Sequence, residues 1–235
     1  MAYDYDIYLF DLDGTLLNTL DDLACATNYA LRTHGLPERT TDEVRMFVGN
    51  GVRKLIERAV GTNLENTDNA IKDAERDVKD VNIELVLTTF RGYYASHSMD
   101  LTRPYNGIME TLEELKRRGK KIAVVSNKFY DATQSICRHY FPDLVDIAIG
   151  EREPEIRKKP APDMVQEALR VLTDSARPTD CNAVYIGDSD VDIATAKNSE
   201  LPCISVLWGF RDKTFLEQNG ATTFIAAPKE LLQFF

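Results

Sequence analysis

The sequence predicts an α/β fold in which a parallel sheet is interrupted by an inserted helical domain. Three observations support this prediction. Short apolar runs alternate along the chain with amphipathic helical segments. The runs are apolar at most positions, as expected for strands that helices cover on both faces. About 110 residues separate the first two runs, although a strand–helix–strand unit needs only about 30.

Five predicted strands make up the sheet, and each is a run rich in aliphatic and aromatic side chains. They cover residues 7–10, 121–125, 145–149, 183–186 and 203–207. A helix is predicted over residues 107–119, because Ile108, Leu112 and Leu115 recur at helical spacing and Gly119 fits a helix end. Strands that alternate with such helices are typical of a parallel sheet.

The inserted domain is predicted to consist of helices. Apolar residues recur at helical spacing over residues 20–31, 52–60 and 83–90. Gly35 and Pro37 end the first of these helices. Residues 63–80 continue with helical propensity but weak apolar periodicity. The predicted domains are a discontinuous α/β core of residues 1–16 and 95–235 and a helical insert of residues 17–94.

Composition restricts the partners and the compartment that we expect. The chain has 28 basic and 38 acidic residues and a net charge of −10, which argues against a surface for nucleic acid or anionic membrane. No stretch approaches the ~18 apolar residues of a membrane span, and no signal peptide is expected. The four cysteines are scattered without a Cys-x-x-Cys pair, which predicts reduced thiols and a cytoplasmic protein.

Two carboxylates follow the first predicted strand. Asp11 and Asp13 precede Gly14 and Thr15. A turn after Asp11 lets both carboxylates approach one ligand, and phosphoryl transfer needs one group that stays ionised and one acid that holds a proton. Gly14 allows a tight turn, and the Thr15 hydroxyl can bind a phosphate oxygen. The alternative is an acidic turn that caps a helix.

Two further polar segments follow the second and third predicted strands. Ser126 and Asn127 offer a hydroxyl and backbone N–H groups at the start of a helix, which can bind an anion. A simple helix cap is the alternative. Lys159 precedes two prolines on a stiff loop and can neutralise a phosphate or a carboxylate pair. A solvated basic linker is the alternative there.

Three carboxylates follow the fourth predicted strand, at Asp188, Asp190 and Asp192. Carboxylates this close repel one another unless a cation is bound or a proton is shared. A few oxygen ligands suit Mg²⁺, whereas the twelve-residue pattern of a calcium loop is absent. An acidic helix start is the alternative. All four segments lie at the C-terminal ends of predicted strands, where open α/β sheets bind ligands, so they favour one common site.

With these four motifs in this order, the chain resembles the haloacid dehalogenase (HAD) superfamily. The similarity covers residues 7–16 and about 105–225, and the insert resembles a helical cap placed between the first two motifs. The resemblance implies a Rossmann-like core, a Mg²⁺ cofactor and a mechanism through an aspartyl-phosphate. Asp11 would attack phosphorus, and Asp13 would protonate the leaving oxygen and then activate water.

The resemblance implies roles for the remaining polar residues as well. Groups that hold the phosphoryl oxygens would be Thr15, Ser126 and Asn127. Lys159 would neutralise charge beside the nucleophile. The metal would be bound by Asp11, the backbone carbonyl of Asp13, and Asp188, with Asp192 supporting metal-bound water or Lys159. Asp190 is expected to face outward.

Three departures from other branches of the superfamily favour a hydrolase. Asp13 argues against a dehalogenase, which needs no proton for an alkoxide, and the Asp-Lys-Thr-Gly-Thr sequence of transport ATPases is absent. Sugar phosphomutases place a histidine early in the first cap helix, where this chain has Leu23. A phosphatase is therefore expected, with a phosphomutase or a non-catalytic phosphate-binding protein as alternatives.

The insert resembles that of phosphoglycolate phosphatases. The similar segments are residues 34–37, 47–56 and 208–211, the last of them in the core. Within the insert, Asn50 and Arg53 are expected to bind the substrate, with solvated surface charge as the alternative for Arg53. The expected substrate is a small phosphate ester, 2-phosphoglycolate, with pyrophosphate, nucleotides and sugar phosphates as alternatives. A monomer or a homodimer is expected.

Overall fold

The computed structural model describes residues 4–61, 81–152, 154–173 and 181–234. The segment 63–80, for which helical propensity was predicted, lies outside the described residues. The described chain divides into two compact units. One comprises Met1–Asn18 with Arg103–Phe235, and the other comprises Thr19–Thr102.

The first unit is built on a six-stranded sheet. Its strands in chain order are β1 (Ile7–Phe10), β4 (Lys121–Phe129), β5 (Ile147–Glu151), β6 (Ala183–Gly187), β7 (Cys203–Val206) and β8 (Phe224–Ile225). All neighbours are parallel, and the spatial order is β5-β4-β1-β6-β7-β8. In chain order, the strands run from β1 in the middle to one edge through β4 and β5. They then continue on the other side of β1 with β6, β7 and β8, which is the Rossmann arrangement. The predicted fold class is therefore confirmed.

Two short strands lie outside the large sheet, β2 (Leu17–Asn18) and β3 (Arg103–Pro104). They pair antiparallel, with Asn18 opposite Arg103. The two strands flank the insert, so the chain leaves the first unit and returns to it at paired positions.

Helices flank the sheet of the first unit. They are α5 (Ile108–Arg117), α6 (Tyr130–Tyr140), α7 (Asp163–Thr173), α8 (Asp190–Asn198) and α9 (Lys213–Gln218), followed by a 3-10 helix (Pro228–Gln233). Leu9, Val125 and Tyr185 of the central strands pack with Val165 and Leu169 of α7. Burial of this apolar surface on the sheet face is the main force that holds the layers together.

Strand positions differ from the prediction in several places. The third predicted strand, residues 145–149, lies two residues later, at Ile147–Glu151, and the ends of β6 and β7 differ by one residue. The second strand of the sheet continues to Phe129, beyond the predicted end at Val125, and Phe129 pairs with Glu151 after a register shift. Its polar residues 126–128 are nevertheless buried. An apolar pattern predicts that the strand ends at its last apolar residue, whereas in the structure the strand continues through the buried polar residues 126–128. The strand β8, which has only two residues, was not predicted.

The second unit consists of helices α1 (Leu20–Thr33), α2 (Thr41–Phe47), α3 (Val52–Val60) and α4 (Ile83–His97) in the described residues. Helix α2 was not predicted, because Val44 is its one buried residue and gives no apolar period. A capping box between Thr40 and Glu43 starts it. Tyr29 of α1 stacks on Tyr93 of α4, with ring centroids 4.2 Å apart.

The boundary of the insert lies later than predicted. The second unit ends at Thr102, not at residue 94, because α4 continues to His97 and the next residues are tied to α1. The buried Asp22 carboxylate accepts hydrogen bonds from the backbone N–H of Leu101 at 3.0 Å and of Thr102 at 2.8 Å.

Among the described helices, none is long and apolar enough to cross a lipid bilayer.

Candidate active site

The predicted site residues of the first unit lie at one edge of the sheet. Asp11 and Asp188 directly follow β1 and β6, and Ser126 lies in β4. These three strands are adjacent in the sheet, so their C-terminal ends place the side chains next to one another. Lys159 comes from the loop between β5 and α7. The edge is the one at which a doubly wound sheet binds ligands.

Lys159 lies at the centre of a buried network. Its Nζ is 2.7 Å from Asp11 Oδ1 and 2.8 Å from Asp192 Oδ1. It also donates to the Tyr185 hydroxyl at 3.1 Å. The side chains of Lys159 and Asp192 are only 2% and 1% exposed. Charges buried to this degree are retained only where they are paired and hydrogen-bonded.

Asp192 is held by α8, the helix that starts after β6. Its Oδ2 accepts from the Ser189 hydroxyl at 2.6 Å and from the Ser189 backbone N–H at 3.1 Å. Ser189 in turn caps the helix, which makes the pair a capping box. The Tyr185 hydroxyl donates to Asp192 Oδ1 at 3.2 Å. Both oxygens of Asp192 therefore have protein partners.

Asp188 is enclosed by backbone from two loops. Its Oδ2 accepts from the Phe210 N–H at 2.7 Å, and its Oδ1 accepts from the Thr15 hydroxyl at 3.2 Å. A Cβ on Gly14 or on Gly209 would collide with the Asp188 side chain, and Gly14 has a φ of +91°. Only glycine at these two positions lets the backbone approach the carboxylate this closely.

Asp13 is paired with a lysine. Lys128 Nζ is 2.9 Å from Asp13 Oδ1 and 3.2 Å from Oδ2. The lysine belongs to the last part of β4, and the aspartate follows β1, the neighbouring strand. The carboxylates of Asp11 and Asp13 therefore each have an ammonium partner of their own.

Asn127 supports the Lys159 loop. Its Nδ2 donates to the Lys159 carbonyl at 3.0 Å, and its Oδ1 accepts from the Lys159 N–H at 2.8 Å. The amide thus contacts the backbone of the loop through both ends, and phosphate binding by Asn127 stays a prediction. The Ser126 hydroxyl accepts from the Lys128 N–H at 3.2 Å.

Burial and mutual repulsion set the electrostatics of the site. Burial and the neighbouring Asp192 carboxylate raise the pKa of Asp11 well above its ordinary value, while the Lys159 ammonium opposes them. Burial and Asp192 also raise the pKa of Asp188, to about 7, although the Phe210 N–H and Arg211 act to lower it. For Lys159, burial lowers the pKa, but the charges of Asp11 and Asp192 outweigh it and the net shift is upward.

The donor set fits a divalent cation. Oxygens of Asp11, Asp188 and Asp192 lie within 4.8 Å of one another, and hard oxygen ligands suit Mg²⁺. Of the four carboxylates of the site, Asp11 and Asp192 pair with the ammonium of Lys159, and Asp13 pairs with that of Lys128. A surplus of negative charge remains that a divalent cation would compensate. Asp192 is the least available ligand of the three, since its Oδ1 contacts the Lys159 ammonium and its Oδ2 accepts two hydrogen bonds from Ser189. The oxygens of Asp188 accept from the neutral donors of Thr15 and Phe210.

The predicted substrate residues of the insert belong to the second unit. Arg53 donates to Glu84 at 2.5 Å, and the pair is solvent-exposed. Asn50 Oδ1 accepts from Arg58 Nη2 at 2.7 Å, and Arg58 Nη1 also donates to the Phe47 carbonyl at 2.7 Å. Arg58 thereby holds the loop that contains Gly49 and Gly51, which have φ values of 122° and 86°.

Two residues of the network were missed from the sequence. Lys128 directly follows Ser126 and Asn127. Its position shortly after a predicted apolar strand is the sequence signal that could have marked it as a site residue. Tyr185 lies inside a predicted apolar strand, and a strand pattern assigns no separate role to its hydroxyl. Its hydroxyl reaches Lys159 only because β6 brings it beside the β5–α7 loop, and no local pattern indicates that contact.

Comparisons with known proteins agree with this geometry. Residues 8–206 match the family of haloacid dehalogenase-like hydrolases. The chain is 34% identical over 209 residues to a phosphoglycolate phosphatase of Aquifex aeolicus, which covers 87% of this chain and 85% of the relative. It is 33% identical over 209 residues to a phosphoglycolate phosphatase of Vibrio parahaemolyticus, covering 88% of this chain and 86% of that relative.

A solved structure extends the similarity to nearly the whole chain. The crystal structure of a Lactobacillus delbrueckii subsp. bulgaricus protein, provisionally named a phosphoglycolate phosphatase, matches with a TM-score of 0.85 and 37% identity over 97% of both chains. The family match, the relatives and the fold thus agree with one another. The chain therefore belongs to the haloacid dehalogenase-like hydrolase family, and it is a phosphoric monoester hydrolase similar to phosphoglycolate phosphatases.

Proposed function

We propose that the protein is a Mg²⁺-dependent phosphatase that hydrolyses a small phosphomonoester, 2-phosphoglycolate, through an aspartyl-phosphate on Asp11. The observation that carries this proposal is the placement of the Lys159 ammonium between Asp11 and Asp192, two carboxylates that cluster with Asp188. An anionic nucleophile and an anionic ester repel each other. A fixed ammonium beside the nucleophile offsets that repulsion, which is most of what phosphoryl-transfer catalysis requires.

In the first step, a carboxylate oxygen of Asp11 attacks phosphorus. A bond forms between that oxygen and phosphorus, and the bond between phosphorus and the ester oxygen breaks. Asp13 donates its proton to the leaving oxygen, which departs as an alcohol. Thr15 and Ser126 are proposed to orient the phosphoryl oxygens while Lys159 neutralises their charge.

In the second step, water hydrolyses the phosphorylated Asp11. Asp13, now ionised, accepts a proton from the water as its oxygen attacks phosphorus, and the bond to Asp11 breaks. Inorganic phosphate leaves, and both carboxyl groups return to their starting states. Splitting the reaction into two displacements is the advantage of a covalent intermediate.

The metal is proposed to be held by Asp11, Asp188 and the backbone carbonyl of Asp13. When bound, Mg²⁺ supplies positive charge to the phosphoryl oxygens as a Lewis acid. Asp192 supports the site from behind, because its two oxygens already hold Lys159 and the start of α8. This division of labour assigns the three clustered carboxylates two different tasks.

The substrate assignment rests on the relatives and on the insert. Two curated relatives above 30% identity are named phosphoglycolate phosphatases. The substrate 2-phosphoglycolate carries a carboxylate beside its phosphate, and Arg53 offers a guanidinium in the insert for such a group. Arg58 fixes Asn50 in the neighbouring loop. A cytoplasmic location and a monomeric or homodimeric state stay predictions from the sequence.

The test measures phosphate release from 2-phosphoglycolate, pyrophosphate, a nucleoside monophosphate and a sugar phosphate, with Mg²⁺ and with a chelator. We expect 2-phosphoglycolate to have the highest kcat/KM and the chelator to abolish release. The Asp11→Asn variant keeps the shape of the side chain and removes the nucleophile, so turnover should fall by roughly three to six orders of magnitude.

Each outcome of this panel has a separate meaning. Equal rates on all esters would reject 2-phosphoglycolate as the specific substrate and retain the chemistry. Near-normal turnover by Asp11→Asn would reject the covalent mechanism. Binding of esters without release, by folded protein with Mg²⁺, would replace the enzyme with a phosphate-binding protein.

A further inference from the structure

The Lys128–Asp13 pair is the part of the buried network that the motifs leave unexplained. Lys128 Nζ lies 2.9 Å and 3.2 Å from the two oxygens of Asp13. The lysine side chain is 4% exposed and the aspartate side chain 15%. Burying an ammonium costs several kcal/mol unless a partner compensates it. A lysine at this depth is therefore kept for its contact with Asp13.

The backbone around Lys128 is fixed as firmly as its side chain. Its N–H donates to the Ser126 hydroxyl at 3.2 Å, and its carbonyl accepts from the Thr133 hydroxyl at 3.3 Å. Gly150 of the neighbouring strand packs against the same segment, where a Cβ would meet the Lys128 carbonyl at 2.7 Å. The ammonium is therefore presented to Asp13 from a rigid strand end.

The two lysines of the site contact different carboxylates. Lys159 contacts Asp11 and Asp192, whereas Lys128 contacts Asp13. Because Lys128 Nζ approaches both oxygens of Asp13, it restricts rotation of the carboxyl group about its last bond. A group that gives and accepts a proton must keep its oxygens in a fixed direction. An unrestrained carboxyl group does not, because its last torsion angle varies over a broad range.

We propose that Lys128 is a positioning residue that orients the Asp13 carboxyl for both proton transfers. The proposal rests on the function proposed above, since it needs Asp13 to exchange protons with the leaving oxygen and with water. Lys128 acts through Asp13, so its removal harms catalysis only where Asp13 contributes. It does not hold substrate, and it leaves substrate affinity unchanged.

The test is a double-mutant cycle between positions 128 and 13. The variants are Lys128→Met, Asp13→Asn, the double variant and Lys128→Arg. We expect Lys128→Met to lower kcat about 10- to 100-fold, within the contribution of an acid–base group, with KM changed less than about threefold. In the Asp13→Asn background, the same substitution should change kcat less than about twofold. Lys128→Arg should recover most of the activity.

A second readout separates orientation from a general structural effect. Single-turnover rates are compared for an alkyl phosphate and for p-nitrophenyl phosphate, whose phenolate leaves without a proton. Lys128→Met should slow the first step of the alkyl ester much more than that of the aryl ester. A structural defect would slow both equally. Lys121→Met is the matched control, since Lys121 begins the same strand and contacts the Leu172 carbonyl at the opposite end.

The outcomes keep the two proposals apart. An equal fall of kcat in the wild-type and Asp13→Asn backgrounds would overturn the role of Lys128 through Asp13. A higher KM with unchanged kcat would make Lys128 a substrate-binding residue instead. If Lys128→Met does not fold, Lys128→Gln and Lys128→Arg carry the same cycle. A wild-type protein that releases no phosphate from any ester would overturn the proposed function and this inference together.

Discussion

One ion pair in each unit of the molecule shows how strongly burial changes what such a pair does. In the first unit, Lys159 and Asp192 form a pair whose side chains are 2% and 1% exposed. In the second unit, Arg53 and Glu84 form a pair whose side chains are 46% and 63% exposed. Charges in water interact weakly because the solvent screens them, whereas buried charges interact strongly and depend on their partners.

This difference in burial determines how many residues each region can change independently. The buried pairs connect Asp11, Asp192 and Lys159 so tightly that removing one member leaves another charge uncompensated. The exposed pairs of the insert impose no such constraint. Exposed charges of the insert such as Arg53 and Glu84 can therefore be replaced without endangering the fold, whereas the buried network cannot change one residue at a time.

The comparison predicts its largest effect at Lys159. The Lys159→Met variant leaves Asp11 and Asp192 buried without their ammonium, so the free energy of unfolding should fall by about 3–5 kcal/mol. Phosphatase activity should fall about 10²- to 10³-fold, as expected for loss of one preorganised charge. Denaturant unfolding and steady-state kinetics measure the two effects.

Two variants sharpen that result. Lys158→Met removes the neighbouring, more exposed lysine, whose Nζ is 3.9 Å from Glu151, and should cost less than about 1 kcal/mol. Adding Asp192→Asn to Lys159→Met should restore part of the stability but no activity. Equal stability of Lys159→Met and Lys158→Met would contradict the contrast between buried and exposed pairs.

A smaller effect is predicted for pH and metal. Burial and the Asp192 charge raise the pKa of Asp188 from 3.8 to about 7. Between these values the unfolded chain has released the proton that the folded chain keeps, so stability of the metal-free protein falls as pH rises toward 7. Binding of Mg²⁺ favours the ionised carboxylate and cancels this loss. The rise in Tm on adding Mg²⁺ should therefore increase from pH 5 to pH 7.5.

The Asp188→Asn variant is the control for this prediction. It removes the titrating carboxyl, so its metal-free stability should depend less on pH, and Mg²⁺ should raise its Tm little. A Tm increase with Mg²⁺ that is as large at pH 5 as at pH 7.5 would show that Asp188 is not the group that couples metal binding to pH.

The smallest effect on stability is predicted at Arg53. Breaking its exposed pair with Glu84 in Arg53→Met should change the free energy of unfolding by less than about 1 kcal/mol. The KM for 2-phosphoglycolate should rise about tenfold, because the variant removes the proposed charged hydrogen bond to the substrate carboxylate, while kcat changes little. Glu84→Gln breaks the same pair and should leave KM unchanged. An unchanged KM in Arg53→Met would remove Arg53 from substrate recognition.

The sheet and its ligand-binding edge were predictable because both depend on local order along the chain. Apolar runs located the strands, and polar residues directly after them located Asp11 and Asp188. The contacts of Lys128 and Tyr185 were not predictable, since each depends on how far one side chain reaches into a neighbouring strand or loop. Asn127 illustrates the same limit: its type fits phosphate binding, but its amide contacts the Lys159 backbone.

The contact between Asn127 and the Lys159 backbone has a consequence for protein engineering. The two residues are 32 positions apart in sequence, yet one amide joins the end of a strand to the loop that carries the ammonium. A designer who transplants this site into another scaffold must therefore copy the asparagine and the loop backbone together. Grafting the charged side chains alone would transfer the reactive groups without the part that sets their spacing.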